Sequence, residues 1–420
     1  MSDRSRTTSR AVSRPLLGRS HARRALVNVG GRVETVGDAS LGAALTEALT
    51  VRPGERDATL THPFHAYPAR LHPEVARRLV AALCPSPGAR VLDPFCGSGT
   101  VLVEALVAGH TVWGRDLSPL AVELAALKTA RPSGAAIKLM VSTARGLAAR
   151  SRSRTGRAPA GPASERAWYL PHTFAELSAL SAEIAALPDG FVRHALRMLL
   201  SSVLVKVSLQ ASDADARRVA KHVAPGTALS LFAYKARELE ACLKALRAAA
   251  PPGATVDVAV DDAQRLDTVP AGSIDAVVTS PPYANTYDYA DHHARRYAWL
   301  GLDARAMASQ EIGAARWFTR DPAEGAARFA DELESFCGAL GRVLAPGGRA
   351  AVVIADGAAA GTALRADEMI ARAAAAQGLS VLARASQERE VFDRDSALAF
   401  AKKAKREHVL VVGRAAVVGG

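Results

Sequence analysis

The sequence predicts an α/β fold: a mostly parallel, doubly wound sheet of seven strands, covered by helices and interrupted by a helical insertion. Three observations predict it. Short apolar runs alternate with helical stretches over residues 89–130, a β-α-β-α rhythm that lays successive strands parallel under covering helices. The rhythm then stops for more than a hundred residues of helical spacing and resumes with further strand-like runs. Gly97-Ser98-Gly99 follows the first run and opens a helix, the kind of strand-to-helix turn that lets backbone approach a ligand closely.

Taken in order, a helix opens at Pro73, a favoured first helical position, with Val75, Leu79, Val80 and Leu83 at helical spacing. Residues 89–94 read as a short buried strand, 98–109 as a helix, 111–116 as a second strand and 119–130 as a second helix. Ser118 is its N-cap and Pro119 its first residue. From Trp168 to about Ala249 the apolar positions recur as in helices: Leu177, Leu180 and Ile184, then Leu196, Leu199, Leu200, Val203 and Leu204, then Leu239, Leu243 and Leu246. Strands resume at 254–260, 274–279 and 349–354, with closing strands near 379–385 and 408–413. The run from Leu340 to Gly348 reads as a helix end and turn feeding the fifth strand. The expected organisation is a basic, largely disordered arm over 1–60, a sheet domain from 61–130 and 251–420, a basic linker over 131–166, and a helical insertion over 167–250 suited to target recognition.

Composition narrows the class. The chain has 420 residues, 49% of them apolar, enough for a substantial core. No apolar run reaches the roughly 18 residues of a membrane span, and the Arg-rich N-terminus lacks the apolar core of a secretory signal, so the expected compartment is the cytoplasm. Cys84, Cys96, Cys242 and Cys337 lie far apart, which suggests neither a zinc site nor a disulfide framework. His292-His293 is not ligand spacing on one helical face, and no metal is expected. The net charge of +12 is concentrated: residues 1–35 carry eight Arg against two acids, and residues 145–166 carry six Arg against one. Such segments either bind phosphates through counterion release or merely solubilise the chain.

The run Val91-Leu92-Asp93-Pro94-Phe95-Cys96-Gly97-Ser98-Gly99-Thr100 provides a turn whose helix N-terminus favours negative charge. Leu102 occupies the place of the third glycine of a dinucleotide fingerprint, which argues against a dehydrogenase. In doubly wound sheets an acid at the tip of the second strand accepts from ribose hydroxyls, and Asp116 is so placed; Asp262, after the third strand, is placed to accept from an adenine amino group. Far downstream, Thr279-Ser280-Pro281-Pro282-Tyr283 follows a buried strand. Its Pro-Pro pair stiffens the strand end and fixes a carbonyl. The stretch from Asn285 to Trp317 interleaves aromatics with cations, which suits either a base-stacking surface or a lid packed on the core.

Together, DPFCGSGT at 93–100 and TSPPY at 279–283 resemble motifs I and IV of the S-adenosylmethionine-dependent amino-methyltransferases, which methylate exocyclic nitrogens of nucleic-acid bases. The resemblance covers about 62–130 and 254–413. It implies a Rossmann-like class I methyltransferase fold, S-adenosylmethionine as cofactor, and a nucleic-acid partner, DNA favoured over RNA. It implies cofactor contacts from Asp93, Pro94, Phe95, Gly97, Gly99, Thr100, Asp116 and Asp262, and from the upstream positions Tyr67 and Arg70. It assigns catalysis to Ser280, Pro281, Pro282 and Tyr283: the Ser280 hydroxyl and the Pro281 carbonyl take hydrogen bonds from the target amine, freeing its lone pair, while Tyr283 stacks on the base. A serine opening that motif favours cytosine-N4 in DNA, with adenine-N6 second. The insertion after the second strand is an unusual place for a DNA-recognition domain, so an RNA base amino-methyltransferase stays open, as does a non-catalytic nucleic-acid-binding protein on the same fold.

Overall fold

The computed structural model describes residues 32–51, 59–154, 161–213, 215–286, 288–391 and 394–414. In chain order, β1 (Val33–Gly37) and α1 (Ala39–Leu49) lead to α2 (Pro73–Leu83), β2 (Arg90–Asp93), α3 (Thr100–Val107), β3 (Thr111–Asp116) and α4 (Pro119–Lys128). The insertion comprises α5 (Gly134–Arg154), a 3-10 turn (Ala163–Trp168), α6 (Pro171–Ala185), α7 (Phe191–Leu204), a hairpin of β4 (Gln210–Ser212) and β5 (Asp215–Arg218), and α8 (Thr227–Ala249). The sheet resumes with β6 (Val256–Val260) and β7 (Ile274–Thr279). Then come α9 (Tyr289–Leu300), α10 (Arg305–Gln310), α11 (Ala315–Arg320) and α12 (Pro322–Val343) before β8 (Leu344–Ala355). A small hairpin of β9 (Gly357–Ala359) and β10 (Thr362–Leu364), then α13 (Ala366–Ala376), β11 (Ser380–Glu388), α14 (Arg394–Ala399) and β12 (Arg406–Gly413) follow.

The main sheet has eight strands in the order β1-β11-β12-β8-β7-β2-β3-β6. Its central strands β8, β7, β2, β3 and β6 run parallel, whereas β12 lies antiparallel between β8 and β11. Seven of the strands are those the sequence predicts. The eighth, β1, pairs antiparallel with β11 at the edge. Alternate strand residues face opposite layers: Val91, Val278 and Val411 join a core with α1, α2 and α3, while Leu92, Val277 and Leu410 join one with α12 and α13.

Three boundaries differ from the sequence reading. The expected arm over 1–60 folds over 33–49, while residues 1–31 and 52–58 lie outside the described residues. Asp38 caps α1, its carboxylate accepting from the Leu41 N–H at 2.8 Å, and Leu41, Leu45 and Leu49 bury one face of that helix. The expected linker over 131–166 is mostly α5, and residues 155–160 lie outside the described residues. Ile137, Met140, Val141, Ala144, Leu147 and Ala148 are buried on one face of α5, each large side chain contributing roughly 1.5–3 kcal/mol, while its arginines occupy the other. The insertion is also not helical throughout, since the β4–β5 hairpin interrupts it.

The insertion packs onto the sheet domain through α4. Leu120, Leu124 and Leu127 share one core with Leu177, Leu196, Leu199 and Leu239, and Tyr297, Trp299 and Leu300 of α9 join the same core. The helix that follows the TSPPY segment is therefore seated on the insertion.

Candidate active site

The strand order sets the site. β2 lies between β3 and β7, so the carboxyl ends carrying Asp93, Asp116 and Thr279 converge where the connections diverge to the two sides of the sheet. There a cleft of about 850 Å³, open to solvent, is lined by Tyr67, Arg70, Asp93, Pro94, Phe95, Gly97, Thr100, Asp116 and Asp262 together with Ser280 and Pro282. Eleven of the residues named from the sequence thus meet in one place. Gly99, Pro281 and Tyr283 are not among the lining residues.

The loop after β2 is built by backbone geometry. Gly97 has φ of 48° and Gly99 of 82°, left-handed conformations that suit glycine. A Cβ on Gly97 would meet the Tyr67 ring at 3.3 Å, whereas one on Gly99 would meet Ala125 Cα at 3.1 Å. Gly97 therefore serves the cleft wall, and Gly99 serves the packing of α3 against α4. The Gly97 N–H donates to Asp116 Oδ2 at 2.8 Å, and the Ser118 N–H donates to Asp116 Oδ1 at 2.8 Å, which fixes the carboxylate at the mouth of β3. Thr279 Oγ1 donates to Asp93 Oδ1 at 2.6 Å, and the Phe95 N–H donates to the same oxygen at 3.1 Å. One side-chain hydrogen bond thus joins the two sequence motifs.

Burial dominates the electrostatics. It pushes the Asp93 carboxyl up to about 7, against the opposing bonds from Thr279 and Phe95, and the Asp116 carboxyl up to about 6. Lys128, wholly buried, donates to Ser98 Oγ at 3.2 Å, and burial followed by the charge of Arg70 lowers its ammonium to about 7. Burial also raises the Cys96 thiol well above its ordinary value, which fits the reading of Cys96 as a small residue in a tight loop.

The other wall comes from residues the motifs do not name: Tyr289, Met307, Gln310, Glu311 and Ile312. Glu311 Oε1 accepts from the Tyr289 N–H at 2.5 Å, and Arg316 Nη1 lies 2.8 Å from both Glu311 Oε2 and Asp288 Oδ1. This clamp orders the start of α9. The interleaved stretch thus supplies part of the cleft wall through Tyr289, while Tyr297 and Trp299 pack in the core. Tyr283 takes a different place. Its hydroxyl donates to Glu407 Oε1 at 2.9 Å, its ring packs against the α12–α13 core, and Glu407 also holds Arg389. Pro281 is buried.

Among the described residues one group of side chains has metal-like spacing, Asp356, Asp367 and His408. Its carboxylates already accept from Arg365 at 2.9 Å and Arg384 at 2.5 Å, and the Ala366 N–H caps Asp356, so the group is a buried charge network.

Residues 63–142 match the family model described as RMKL-like, methyltransferase domain. The fold is that of an S-adenosylmethionine-dependent methyltransferase. S-adenosylmethionine is accordingly the cofactor. A type II methyltransferase, M.MvaI of Kocuria varians, is 42% identical over 72 residues, covering 17% of this chain and 16% of its own length. The tRNA (guanine(10)-N2)-dimethyltransferase of Methanothermobacter thermautotrophicus is 42% identical over 57 residues, covering 14% of this chain and 17% of its own. The chain thus spans about a sixth of the length of these curated relatives. Among solved structures, the rRNA methyltransferase aviRa of Streptomyces viridochromogenes superposes with a TM-score of 0.34 at 16% identity, covering 87% of this chain and 94% of its own. The cleft suits the cofactor chemically. Thr100 Oγ1 is buried there with no hydrogen-bond partner, and the Asp93 and Asp116 carboxyls, both raised by burial, line the same cleft. No helix among the described residues is long and apolar enough to cross a membrane.

Proposed function

We propose that the protein transfers a methyl group from S-adenosylmethionine to the exocyclic amino nitrogen of a base in DNA, cytosine-N4 by preference. The observation that carries this reading is the meeting of Ser280 and Pro282 with Asp93, Phe95 and Asp262 in one cleft. Bound there, the cofactor supplies an electrophilic methyl on a sulfonium. Asp116 would accept from its ribose hydroxyls and Asp262 from its adenine amine, while Thr100 Oγ1 and the Gly97 turn would hold its polar end. Ser280, at the tip of β7, accepts a hydrogen bond from the target amine and holds its nitrogen lone pair in line with the methyl. With the cofactor bound, the carbon–sulfur bond would break as the carbon–nitrogen bond forms, and the proton shed by the methylated nitrogen would pass to solvent water. A base within a duplex reaches Ser280 by leaving its stack.

Motif resemblance favours cytosine-N4, with adenine-N6 next. The similarity to a tRNA guanine-N2 enzyme supports RNA as the second reading. Incubation with methyl-labelled S-adenosylmethionine and separate DNA and RNA pools, followed by nucleoside mass spectrometry, tests both. N4-methylcytosine in DNA is expected. Label confined to RNA or to another base overturns the substrate, and absence of transfer to either pool leaves the non-catalytic binder.

A further inference from the structure

Lys128 closes α4 and is wholly buried, yet among the described residues no carboxylate pairs with its ammonium. Lysine is almost never fully buried without a partner, because taking its charge out of water is costly. Packing alone does not call for a lysine here. Its neighbours Leu124, Ala125 and Leu127 are wholly buried, and a methionine would fill the same space without a charge. A lysine in the last turn of a helix can also bond that helix's own carbonyls. Lys128 instead reaches the loop after β2, where its Nζ donates to Ser98 Oγ at 3.2 Å. Its own carbonyl accepts from the Thr61 hydroxyl at 2.7 Å, which fixes the end of α4 from which the side chain extends.

Ser98 lines the cleft, just ahead of the N-terminus of α3. Because Ser98 Oγ accepts from Lys128, its hydroxyl proton is left to be donated, and an oxygen bonded to an ammonium is the stronger donor for it. Thr100 Oγ1, two residues on, is buried in the same cleft without a partner, and the start of α3 adds its own positive partial charge. Burial, and then the charge of Arg70, which also lines the cleft, lower the Lys128 ammonium to about 7, so an anion brought to these cations would be favoured. The rest of the lining carries acids: Asp93, Asp116, Asp262 and Glu311. The one anionic group of S-adenosylmethionine is the carboxylate of its methionine part. Four carboxyls repel it, and the surroundings of Ser98 suit it.

We propose that Lys128 is a positioning residue for the cofactor's methionine carboxylate: its ammonium fixes the Ser98 hydroxyl, which donates to that carboxylate beside Thr100, and the carboxylate in turn balances the buried charge. This rests on the cofactor and not on the identity of the methyl acceptor. The experiment is calorimetric titration of the full chain with S-adenosylmethionine and with decarboxylated S-adenosylmethionine, which keeps the nucleoside, the sulfonium and the amine and lacks the carboxylate. The parent protein is expected to bind the first about tenfold or more tightly than the second, as a hydrogen bond to a charged group implies. In Lys128→Met that preference shrinks to about twofold or less through weaker binding of S-adenosylmethionine, affinity for the decarboxylated ligand stays within about twofold, and the melting temperature holds or rises because a buried charge has given way to an apolar side chain. Ser98→Ala is expected to lose the same preference, and it decides the question should the methionine variant fail to fold. A parent protein that does not discriminate between the two ligands overturns the proposal, as does a preference retained in either variant. Equal loss of both ligands with a lowered melting temperature also overturns it, leaving Lys128 a residue of the fold alone.

Discussion

The wall of the cleft that we assign to the cofactor comes from Tyr67–Leu71, the contiguous stretch Asp93 to Thr100 and two strand-end acids, whereas the wall that we assign to the substrate is assembled from Ser280, Pro282, Tyr289, Met307 and residues 310–312. In the first half, positions are fixed by local backbone: glycine conformations and N–H groups donating to Asp93 and Asp116. In the second they are fixed by side chains distant in sequence, through Arg316, Glu311 and the insertion beneath α9. The first wall is a rigid cradle encoded by neighbouring residues. A substrate particular to one enzyme is met by elements that tertiary packing can reposition.

The sharpest way to break that division is Ser280→Ala. If Ser280 belongs to the substrate half, kcat falls about 10²–10³-fold while cofactor affinity stays within about twofold. A parallel loss of cofactor affinity, read by calorimetry, merges the two halves. Asp116→Ala is the complement. Its two backbone donors lose their acceptor and the ribose loses its own, so the cofactor Kd is expected to rise about 10–100-fold. An unchanged Kd removes Asp116 from the cofactor half.

The same division explains what the sequence made legible. The strands over 111–116 and 274–279 keep their predicted limits because each ends at a chemically marked residue, Asp116 and Thr279. The Gly97–Thr100 turn was legible because its conformations are encoded by its own residues. Helix α5 was hidden by its composition: Arg145, Arg150, Arg152 and Arg154 dominate the count, yet the buried positions recur every three or four residues. The β1–α1 unit carried an equally local signal in Asp38 and the leucines spaced by four, masked by the arginine-rich stretch before it. The β4–β5 hairpin has no Gly or Asn in its turn to announce it. The place of Tyr283 was not legible at all, because it depends on Glu407, a partner 124 residues away.

Two further tests sharpen the cofactor half. Gly99→Ala puts a Cβ at φ of 82° and 3.1 Å from Ala125, so it is expected to cost about 1–3 kcal/mol of stability in denaturant unfolding. No loss would mean that α3 and α4 can part freely. The pH dependence follows from burial: Asp93 and Asp116 sit at about 7 and about 6 in the free protein, above the ordinary carboxylate value. A cationic, hydroxyl-bearing cofactor favours their ionised forms, so its affinity should tighten about tenfold from pH 5.5 to 7.5, with proton release measurable in buffers of different ionisation enthalpy. The free protein behaves oppositely. Because the folded values are raised, the stability these two carboxyls contribute is full below about pH 4 and lost as pH rises to about 7. A flat affinity profile without proton release breaks the link between burial and binding.

The smallest expected effect decides between two roles for one residue. If Tyr283 stacks on the target base, its ring matters and its hydroxyl does not, so Tyr283→Phe would be silent in both stability and transfer. In the structure the hydroxyl donates to Glu407, which is nearly inaccessible and shared with Arg389. Phenylalanine there leaves Glu407 one donor short, a loss of about 1–2 kcal/mol for a hydrogen bond to a charged acceptor. The expected outcome is a lower unfolding midpoint with kcat within about twofold of the parent. Unchanged stability would return Tyr283 to the base and shift the boundary between the two halves of the cleft. A stability loss with intact transfer places Tyr283 in the frame that holds the Ser280 segment against β12, leaving Tyr289 as the tyrosine that faces the cleft from the substrate side.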